Sequence, residues 1–195
     1  MDNTKVKKQE IRNDIAKKLE ILSDSELLER YKKIEGRLFE LANFQEAKIA
    51  LLYINRGCEV SSQEIISRSL AINQIVVLPV FDIKKFRITL FKIDNLDSDT
   101  KVGATGIIEP DKIKCKAIPI ERLDIAIIPG VAFDEKGGRI GSGEGYYDRL
   151  IPKLPITTRK VALALEDQII QQVPMESHDR YMDIIITENR IIYKI

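Results

Sequence analysis

The stretch Ile127–Pro152, IIPGVAFDEKGGRIGSGEGYYDRLIP, decides how we interpret the rest of the chain. An apolar, β-branched strand is predicted over 124–128 and ends at the Pro-Gly pair that follows it. The paired Gly137 and Gly138 then predict a turn, because glycine adopts positive φ without a steric penalty. A glycine-rich loop follows and enters a predicted helix near Tyr146. The stretch is therefore organised as strand, turn, glycine loop and helix.

Alternate glycines occupy positions 141, 143 and 145 of this loop. Without side chains, the backbone N–H groups of such a loop can approach a bulky anion, and a helix N-terminus behind them adds a favourable dipole. Arg139 supplies a forked cation, and Asp148 supplies a hard oxygen ligand for a divalent metal. We expect Arg139 to lie in this polar loop and outside the core. The pattern favours a polyphosphate–metal site, but alternating glycines also suit a tight hairpin that binds nothing.

Several named motifs are excluded by the spacing. No Gly-Lys-Ser/Thr follows the glycines, so the loop is not a Walker motif. The dinucleotide fingerprint needs its third glycine one residue later than position 145. Ser142 is not at a nucleophile elbow, because Ile140 stands where that motif requires glycine.

The composition describes an ordinary globular chain of one domain, residues 1–195. Of its 195 residues 44% are hydrophobic and 31% are charged, and the net charge is only +1. This balance argues against a nucleic-acid binder that works by overall charge. We find no apolar run long enough to span a bilayer and no apolar core of a signal peptide, so we expect a cytoplasmic protein without a membrane partner. Cys58 and Cys115 fit no metal or redox spacing.

Two amphipathic helices are predicted at the start of the chain and together form a helical hairpin over about 4–43. The first covers 4–22, and the second begins at Ser23 or Ser25 as its N-cap. Lys8 and Arg12 are four residues apart and share one helical face. This cationic pair could reach across to phosphates, or it could be an exposed pair with no role.

The next segment has the pattern of a βαβ unit. A buried strand is predicted over 48–54, and a capping box at Ser61 begins a helix that runs to about Leu70. A second strand over 75–80 is expected to end around its proline, Pro79. Such units build parallel sheets. Glu59 lies after the first strand, where open α/β sheets place their ligands, although it could also be a surface carboxylate in a turn.

The remaining elements complete a three-layer α/β domain with an open, mostly parallel sheet flanked by helices. We predict an edge strand over 86–93, a loop over 94–105, a turn over 106–110, a strand over 160–165, a short helix over 168–173, and two last strands over 183–187 and 190–194. No internal repeat and no domain boundary stands out.

Four further side chains are candidates for the site. His178 is the chain's one histidine, and it is either a structural residue or a general acid–base. Asp179 beside it would complete an oxygen site for magnesium if it met Asp148. Tyr146 and Tyr147 can either pack in the core or stack on a flat heteroaromatic ring.

The central stretch resembles the 5-formyltetrahydrofolate cyclo-ligase family, also called 5,10-methenyltetrahydrofolate synthetase. The resemblance rests on PGVAFD followed by G-x-R-x-G-x-G-x-GYYDR, which spans 129–149. Other features occur in the family's order along nearly the whole chain: Lys8 with Arg12, Glu59-Val60, Leu78-Pro79, the segment Gly106 to Pro110, Gln168, and Pro174 with His178-Asp179.

The resemblance implies a fold similar to that of sugar-phosphate isomerases and coenzyme A transferases. It also implies a reaction, the ATP- and magnesium-dependent closure of 5-formyltetrahydrofolate to 5,10-methenyltetrahydrofolate, with release of ADP and phosphate. The expected partners are these small molecules alone, and we expect a monomer.

The resemblance also assigns roles to residues. It implies that Arg139, Tyr147 and Asp148 are catalytic. It assigns ATP to Lys8, Arg12, Arg139, Ile140, Gly141, Ser142, Gly143, Glu144, Gly145, Tyr146 and Tyr147. It assigns the folate to Glu59, Tyr53 and Tyr147, and magnesium to Asp148 and Asp179.

Two positions depart from the family's pattern. Relatives often carry Tyr or Arg where this chain has Ser142, and Gly or Lys where it has Glu144. A carboxylate beside ATP phosphates would repel them unless a metal or Arg139 offsets its charge. Glu144 must therefore point to solvent, or the affinity for ATP is reduced. The alternative function is a binding or regulatory module that holds folate or nucleotide without turnover.

Overall fold

The computed structural model describes residues 3–104, 106–176 and 179–194. Its helices form two groups, a long pair at the start of the chain and shorter ones after it. Within the described ranges the α-helices are α1 (Asn3–Leu19), α2 (Asp24–Glu40), α3 (Ala42–Glu46), α4 (Gln63–Ala71), α5 (Leu96–Asp99) and α6 (Tyr146–Leu150), and 3-10 turns cover Ile120–Arg122, Ile151–Lys153 and Glu166–Gln168.

The strands are short, and most of them join one sheet. They are β1 (Ile49–Leu51), β2 (Ile75–Asp82), β3 (Arg87–Ile93), β4 (Thr100–Val102), β5 (Ile108–Pro110), β6 (Lys116–Ala117), β7 (Ile125–Ile127), β8 (Ala132–Phe133), β9 (Arg139–Ile140), β10 (Arg159–Leu163), β11 (Ile184–Ile186) and β12 (Ile191–Tyr193).

The main sheet has eight strands in the order β12-β11-β10-β7-β1-β2-β3-β6. Its five inner strands, β11, β10, β7, β1 and β2, pair in parallel, and β12, β3 and β6 add antiparallel strands at the two sides. Every residue of β1, β7 and β11 is buried, as expected for parallel strands that are covered on both faces. The predicted fold class, a mostly parallel α/β sheet flanked by helices, is confirmed.

Two apolar clusters lie on opposite faces of the sheet, because successive residues of a strand point in opposite directions. In β1, Ala50 belongs to the cluster that also holds Ile15 of α1 and Leu38 of α2. Its neighbour Leu51 belongs to the other cluster, which contains Tyr147 and Leu150 of α6. Helices α1 and α2 thus cover one face and α6 the other, and these layers sandwich the sheet.

One of the two expected helix caps is present. At the start of α2 the Ser23 side chain accepts from the N–H of Glu26, whose carboxylate accepts from the N–H of Ser23 in return. The capping box predicted at Ser61 is wrong, since α4 begins at Gln63 without a side-chain cap. The hydroxyl of Ser62 instead donates to the main-chain oxygen of Tyr53, a buried bond that ties the loop after β1 to the helix.

Three other predicted boundaries differ from the structure. β2 continues through Pro79. Beyond Val77 it pairs with β3 alone, and the side of the strand that has no neighbour does not need the N–H that proline lacks. The segment 86–93 is not the edge, since β6 pairs outside it. The loop 94–105 contains the short helix α5 and the strand β4, and β4 pairs with β5.

The helix predicted over 168–173 is also wrong. A single 3-10 turn ends at Gln168, and the chain then extends so that Ile169 bridges to Phe133. The N–H of Ile170 donates to the Phe133 oxygen at 2.8 Å. Pairing with an extended neighbour satisfies this backbone, and the segment does not need a helix to do so. No helix of the described residues is long and apolar enough to cross a membrane.

We predict that alanine substitutions at two glycines change the stability of the fold in opposite directions. Gly137 has φ +89°, and a Cβ there would collide with the main-chain oxygen of Met182. Gly36 lies inside α2, and nothing lies within 4 Å of a Cβ placed on it. Gly137→Ala should lower the free energy of unfolding by about 1–3 kcal/mol. Gly36→Ala should raise it by about 0.5–1 kcal/mol, because alanine favours the helix.

Urea denaturation followed by far-ultraviolet circular dichroism measures both changes, since the chain has no tryptophan. Equal midpoints for Gly137→Ala and the wild type would contradict the tight turn.

Candidate active site

A cleft of about 320 Å³ opens at the carboxyl ends of the central parallel strands. From β1 the chain proceeds to β2 on one side, and β7 leads to β10 on the other, so the strand order reverses between β1 and β7. In open α/β sheets ligands bind at such a reversal. The cleft is lined by the turn after β1, by Pro129 after β7, by α1, by the glycine loop and by the segment around Asp179.

Most of the site residues predicted from the sequence meet in this cleft. The described lining includes Lys8, Arg12, Glu59, Arg139, Gly141, Ser142, Gly143, Glu144, Gly145, Tyr146, Tyr147, Asp148 and Asp179. Two predicted residues do not line it. Ile140 is buried in the core cluster, and its main-chain oxygen accepts from the N–H of Val131. Tyr53 lines a smaller neighbouring pocket.

The glycine loop depends on its glycines for space and for backbone conformation. Gly143 has φ +111° and Gly145 has φ +71°, which other residues rarely adopt. A Cβ on Gly141 would lie 2.7 Å from Nη1 of Arg139. The loop therefore lies directly against the guanidinium, and a larger residue at 141 would force it away.

Arg139 is a buried cation, and the expectation that it lies outside the core is wrong. Its side chain is only 4% exposed and forms an ion pair with Asp148. Nη1 also donates to the main-chain oxygen of Pro129 at 2.8 Å. The stem passes over Gly130, where a Cβ would lie 3.1 Å from Cγ of Arg139. Because Gly130 has no side chain, the arginine can enter the floor of the cleft and present a fixed positive charge there.

Helix α1 contributes three further cations, Lys5, Lys8 and Arg12, and the last two share one face, as their spacing predicts. Lys8 lies 2.7 Å from both Glu176 and Asp179. Burial alone would lower the pKa of Lys8, but the two carboxylates outweigh it and raise that pKa. Arg12 donates from Nε to the oxygen of Gly141 at 2.8 Å, so the helix holds the glycine loop.

Burial lowers the pKa of Arg12. The guanidinium nevertheless stays charged, since arginine titrates far above neutral pH. Among the residues that the structure describes, Arg12 forms no ion pair with a carboxylate. Its guanidinium lines the cleft and carries a positive charge there.

Glu59 and Tyr147 lie between the cleft and the smaller pocket and line both. Glu59 is buried, and burial raises the pKa of its carboxyl group, although the N–H of Arg56 donates to its Oε2 at 2.9 Å and opposes the rise. The hydroxyl of Tyr147 is buried and has no hydrogen-bond partner among the described residues. Burial also raises the pKa of this phenol, so it remains a donor. An unsatisfied buried hydroxyl at a cavity wall fits a polar group of a ligand.

The smaller pocket is largely apolar. Leu78, Pro79 and Phe81 line it beside Tyr53. The Tyr53 hydroxyl is already used, since it donates to the main-chain oxygen of Val60 at 2.9 Å. Tyr53 therefore shapes this pocket with its ring and has no free donor for a ligand.

Sequence reasoning missed three charged residues of the cleft, Lys5, Arg56 and Glu176. Glu176 shares Lys8 with Asp179. Arg56 lies 3.1 Å from the carboxylate of Glu144 and donates to the Ser142 hydroxyl. The only sequence feature that could have indicated Arg56 is its place in the same turn as Glu59. Its pairing with Glu144 spans 88 residues, and no local pattern predicts such a pairing.

The arrangement can hold a divalent metal only with help from a ligand. No three His, Cys, Asp or Glu side chains among the described residues form a group that could hold a metal ion. Asp148 and Asp179 line the same cleft, but each is paired with a cation. Two carboxylates suit a magnesium ion that also binds phosphate oxygens and water. His178 lies outside the described residues.

The sequence profile of the 5-formyltetrahydrofolate cyclo-ligase family matches residues 4–188 of the chain. The 5-formyltetrahydrofolate cyclo-ligase of Haemophilus influenzae is 30% identical over 174 residues, which are 89% of this chain and 93% of the relative. The mouse 5-formyltetrahydrofolate cyclo-ligase is 24% identical over 190 residues, 93% of this chain and 94% of the relative.

Two solved structures share the fold. The 5,10-methenyltetrahydrofolate synthetase of Aquifex aeolicus superimposes with a TM-score of 0.83 at 29% identity, over 96% of this chain and 92% of the other. That of Mycoplasma pneumoniae superimposes with a TM-score of 0.74 at 25% identity, over 96% and 99% of the two chains. The match along almost the entire sequence, together with the shared architecture, shows that this chain belongs to the 5-formyltetrahydrofolate cyclo-ligase family of enzymes.

Proposed function

We propose that this chain catalyses the ATP- and magnesium-dependent cyclisation of 5-formyltetrahydrofolate to 5,10-methenyltetrahydrofolate. The observation that carries the proposal is a pair of adjoining cavities with different chemistry. The larger is lined by a glycine loop and by charged side chains of both signs, and the smaller is largely apolar. They share Arg56, Glu59, Pro129 and Tyr147. The smaller cavity has a volume of only about 10 Å³, room for about one water, so we place the heterocycle against the shared residues and not inside that cavity. A polyphosphate in the larger cavity would meet the heterocycle at these residues.

The chemistry explains why a nucleotide is needed. The formyl group on nitrogen 5 is an amide, and its oxygen is a poor leaving group. In the proposed first step this oxygen attacks the γ-phosphorus of ATP, the bond to the bridging oxygen breaks, and ADP leaves. Nitrogen 10 then attacks the activated formyl carbon. The carbon–oxygen bond breaks, phosphate departs, nitrogen 10 loses its proton, and the five-membered ring is closed.

Phosphoryl transfer of this kind needs positioning and charge stabilisation more than a protein nucleophile. Arg139 fits this role because its buried guanidinium is held by Pro129 and Asp148 and needs little reorganisation. Lys8 and Arg12 bring positive charge from α1 to the edge of the same loop. We assign the phosphates to these three cations and to the loop 141–145.

The folate is assigned to the region that the two cavities share. Its pterin ring carries several N–H and N groups, which suit the buried carboxyl group of Glu59 and the unpartnered hydroxyl of Tyr147. Tyr53 provides part of the apolar wall. Burial raises the pKa of Glu59, so a ligand N–H that donates to its carboxylate would stabilise the charged form on binding.

The charges of the cleft are consistent with a nucleotide that arrives with its metal. Five cationic and five acidic side chains line it within the described part of the chain, namely Lys5, Lys8, Arg12, Arg56 and Arg139 with Glu59, Glu144, Asp148, Glu176 and Asp179. Such a balanced lining does not neutralise a polyphosphate. We propose that Asp148 and Asp179 hold a magnesium ion carried by ATP, which would neutralise phosphate charge.

The first prediction concerns the reaction itself. Purified protein mixed with 5-formyltetrahydrofolate should raise the methenyl absorbance only when ATP and magnesium are both present, because the formyl oxygen leaves only after phosphorylation. Omitting ATP, or chelating magnesium, is the matched control. A folded preparation that binds both substrates but makes no methenyl product would instead support a binding or regulatory module.

The second prediction concerns Arg139. Arg139→Ala should lower turnover by about 10²–10³, because one preorganised charge stabiliser is lost. It should also lower the free energy of unfolding by about 1–3 kcal/mol, since the Pro129 oxygen and Asp148 lose their partner. Arg139→Lys keeps the charge and should recover part of the turnover. Rates from the methenyl assay and urea midpoints separate the two effects, and wild-type turnover in Arg139→Ala would contradict the assigned role.

The third prediction concerns the metal. Asp148→Asn and Asp179→Asn should each raise the magnesium concentration needed for half-maximal turnover, because a hard cation loses an anionic ligand. The double variant should lose less than the sum of the two losses, since one shared ion couples them. Asp167→Asn is the control, because Asp167 pairs with Arg30 outside the cleft. Additive losses with unchanged magnesium dependence would exclude a shared site.

A further inference from the structure

Arg56 is placed where it can influence both proposed substrates. It lies in the turn between β1 and α4 and lines both cavities. Its guanidinium stands 5.7 Å from the centre of the Phe81 ring, which fixes the direction of the side chain. Neither the motifs of the sequence nor the proposed reaction gives this residue a role.

The side chain of Arg56 reaches the glycine loop. Nη1 lies 3.1 Å from Oε2 of Glu144, and Nη2 donates to the Ser142 hydroxyl at 3.1 Å. Glu144 is 48% exposed, so its charge is not hidden from the cleft by burial. A carboxylate in a loop that receives phosphates is repulsive, and Arg56 supplies the charge that cancels it.

The main chain of Arg56 serves the other substrate. Its N–H donates to Oε2 of Glu59 at 2.9 Å, and the N–H of Glu59 donates back to the Arg56 oxygen at 2.9 Å. This reciprocal pair holds the Glu59 carboxyl group at the wall between the cavities. A substitution that changes only the side chain leaves these bonds in place. The contribution of the Arg56 side chain can therefore be tested while its main-chain bonds are kept.

We propose that Arg56 is a positioning residue for the nucleotide, which neutralises Glu144 and so allows a loop that carries a carboxylate to accept a polyphosphate. This inference rests on the proposed function, because it concerns the same glycine loop. The stability of the fold is not its main contribution. An ion pair this exposed is screened by water and adds little to folding. The ion pair acts on the electrostatic potential of the glycine loop, where we place the phosphates.

The test compares three variants in binding and in turnover. Arg56→Gln should raise both the Kd and the KM for ATP about tenfold, equivalent to about 1.4 kcal/mol, with a smaller change in kcat. Glu144→Gln should lower both constants about threefold, because Arg56 is then an uncompensated cation. The double variant should return both to within about threefold of the wild type, since neither charge remains. The KM for 5-formyltetrahydrofolate should change less than the constants for ATP in Arg56→Gln, because the main-chain bonds to Glu59 persist and only the attraction between the guanidinium and Glu59 is lost.

Arg68 provides a matched control for the loss of a surface arginine. It pairs with Glu35 at 3.2 Å and stands 4.0 Å over the Phe39 ring, outside both cavities. Arg68→Gln should leave both constants for ATP unchanged. Far-ultraviolet circular dichroism and urea midpoints verify that all the variants fold.

The outcomes separate this inference from the proposed function. Calorimetric titration with magnesium-ATP measures binding without turnover. A wild type that binds ATP but forms no methenyl product would therefore contradict only the proposed reaction. If the wild type turns over and the double variant is as impaired as Arg56→Gln, neutralisation of Glu144 is wrong and Arg56 acts in another way. Unchanged constants in Arg56→Gln would overturn the inference as well. A wild type that does not bind magnesium-ATP would overturn both.

Discussion

The parallel pairing of the five inner strands is the constraint on which the rest of this structure depends. Parallel neighbours deliver their carboxyl ends to the same edge of the sheet, and the reversal of strand order between β1 and β7 leaves a gap there. The turn after β1 carries Glu59, and the chain after β7 carries Pro129, whose oxygen anchors the buried Arg139. The cleft is thus a consequence of strand order, and local loop sequence decides only its chemistry.

The chemistry of the cleft is one of compensated charge. Lys8 is shared by two carboxylates, Arg139 is paired with Asp148, and the guanidinium of Arg56 contacts Glu144. Such pairing keeps cations in fixed positions without leaving them uncompensated in a partly buried site. A ligand that enters must exchange these partners for its own groups. We therefore propose that the cleft favours a ligand that brings both negative charge and a cation.

The sequence predicted the sheet and the glycine loop well, because both depend on local pattern. Buried strands show as apolar runs, and the Ser23 cap shows as a serine three residues before a glutamate. The burial of Arg139 could not be predicted in this way, since it depends on the bare backbone of Gly130 below it. Arg56 was missed because its partner Glu144 is 88 residues away. The sequence pattern predicts a helix at Ile169, and this prediction is wrong because the partner of the extended chain, Phe133, lies elsewhere in the sequence.

The contacts of α1 have a consequence for the order in which the molecule is assembled. Arg12 reaches an oxygen 129 residues later, and Lys8 reaches a carboxylate 171 residues later. Closing loops of this length costs conformational entropy, and this cost is offset only when contacts between distant parts of the chain have formed. During synthesis α1 can contact the glycine loop only after nearly all of the chain has left the ribosome. The βαβ unit of β1, α4 and β2 has no such delay, so a growing chain can acquire its scaffold well before it acquires a working cleft.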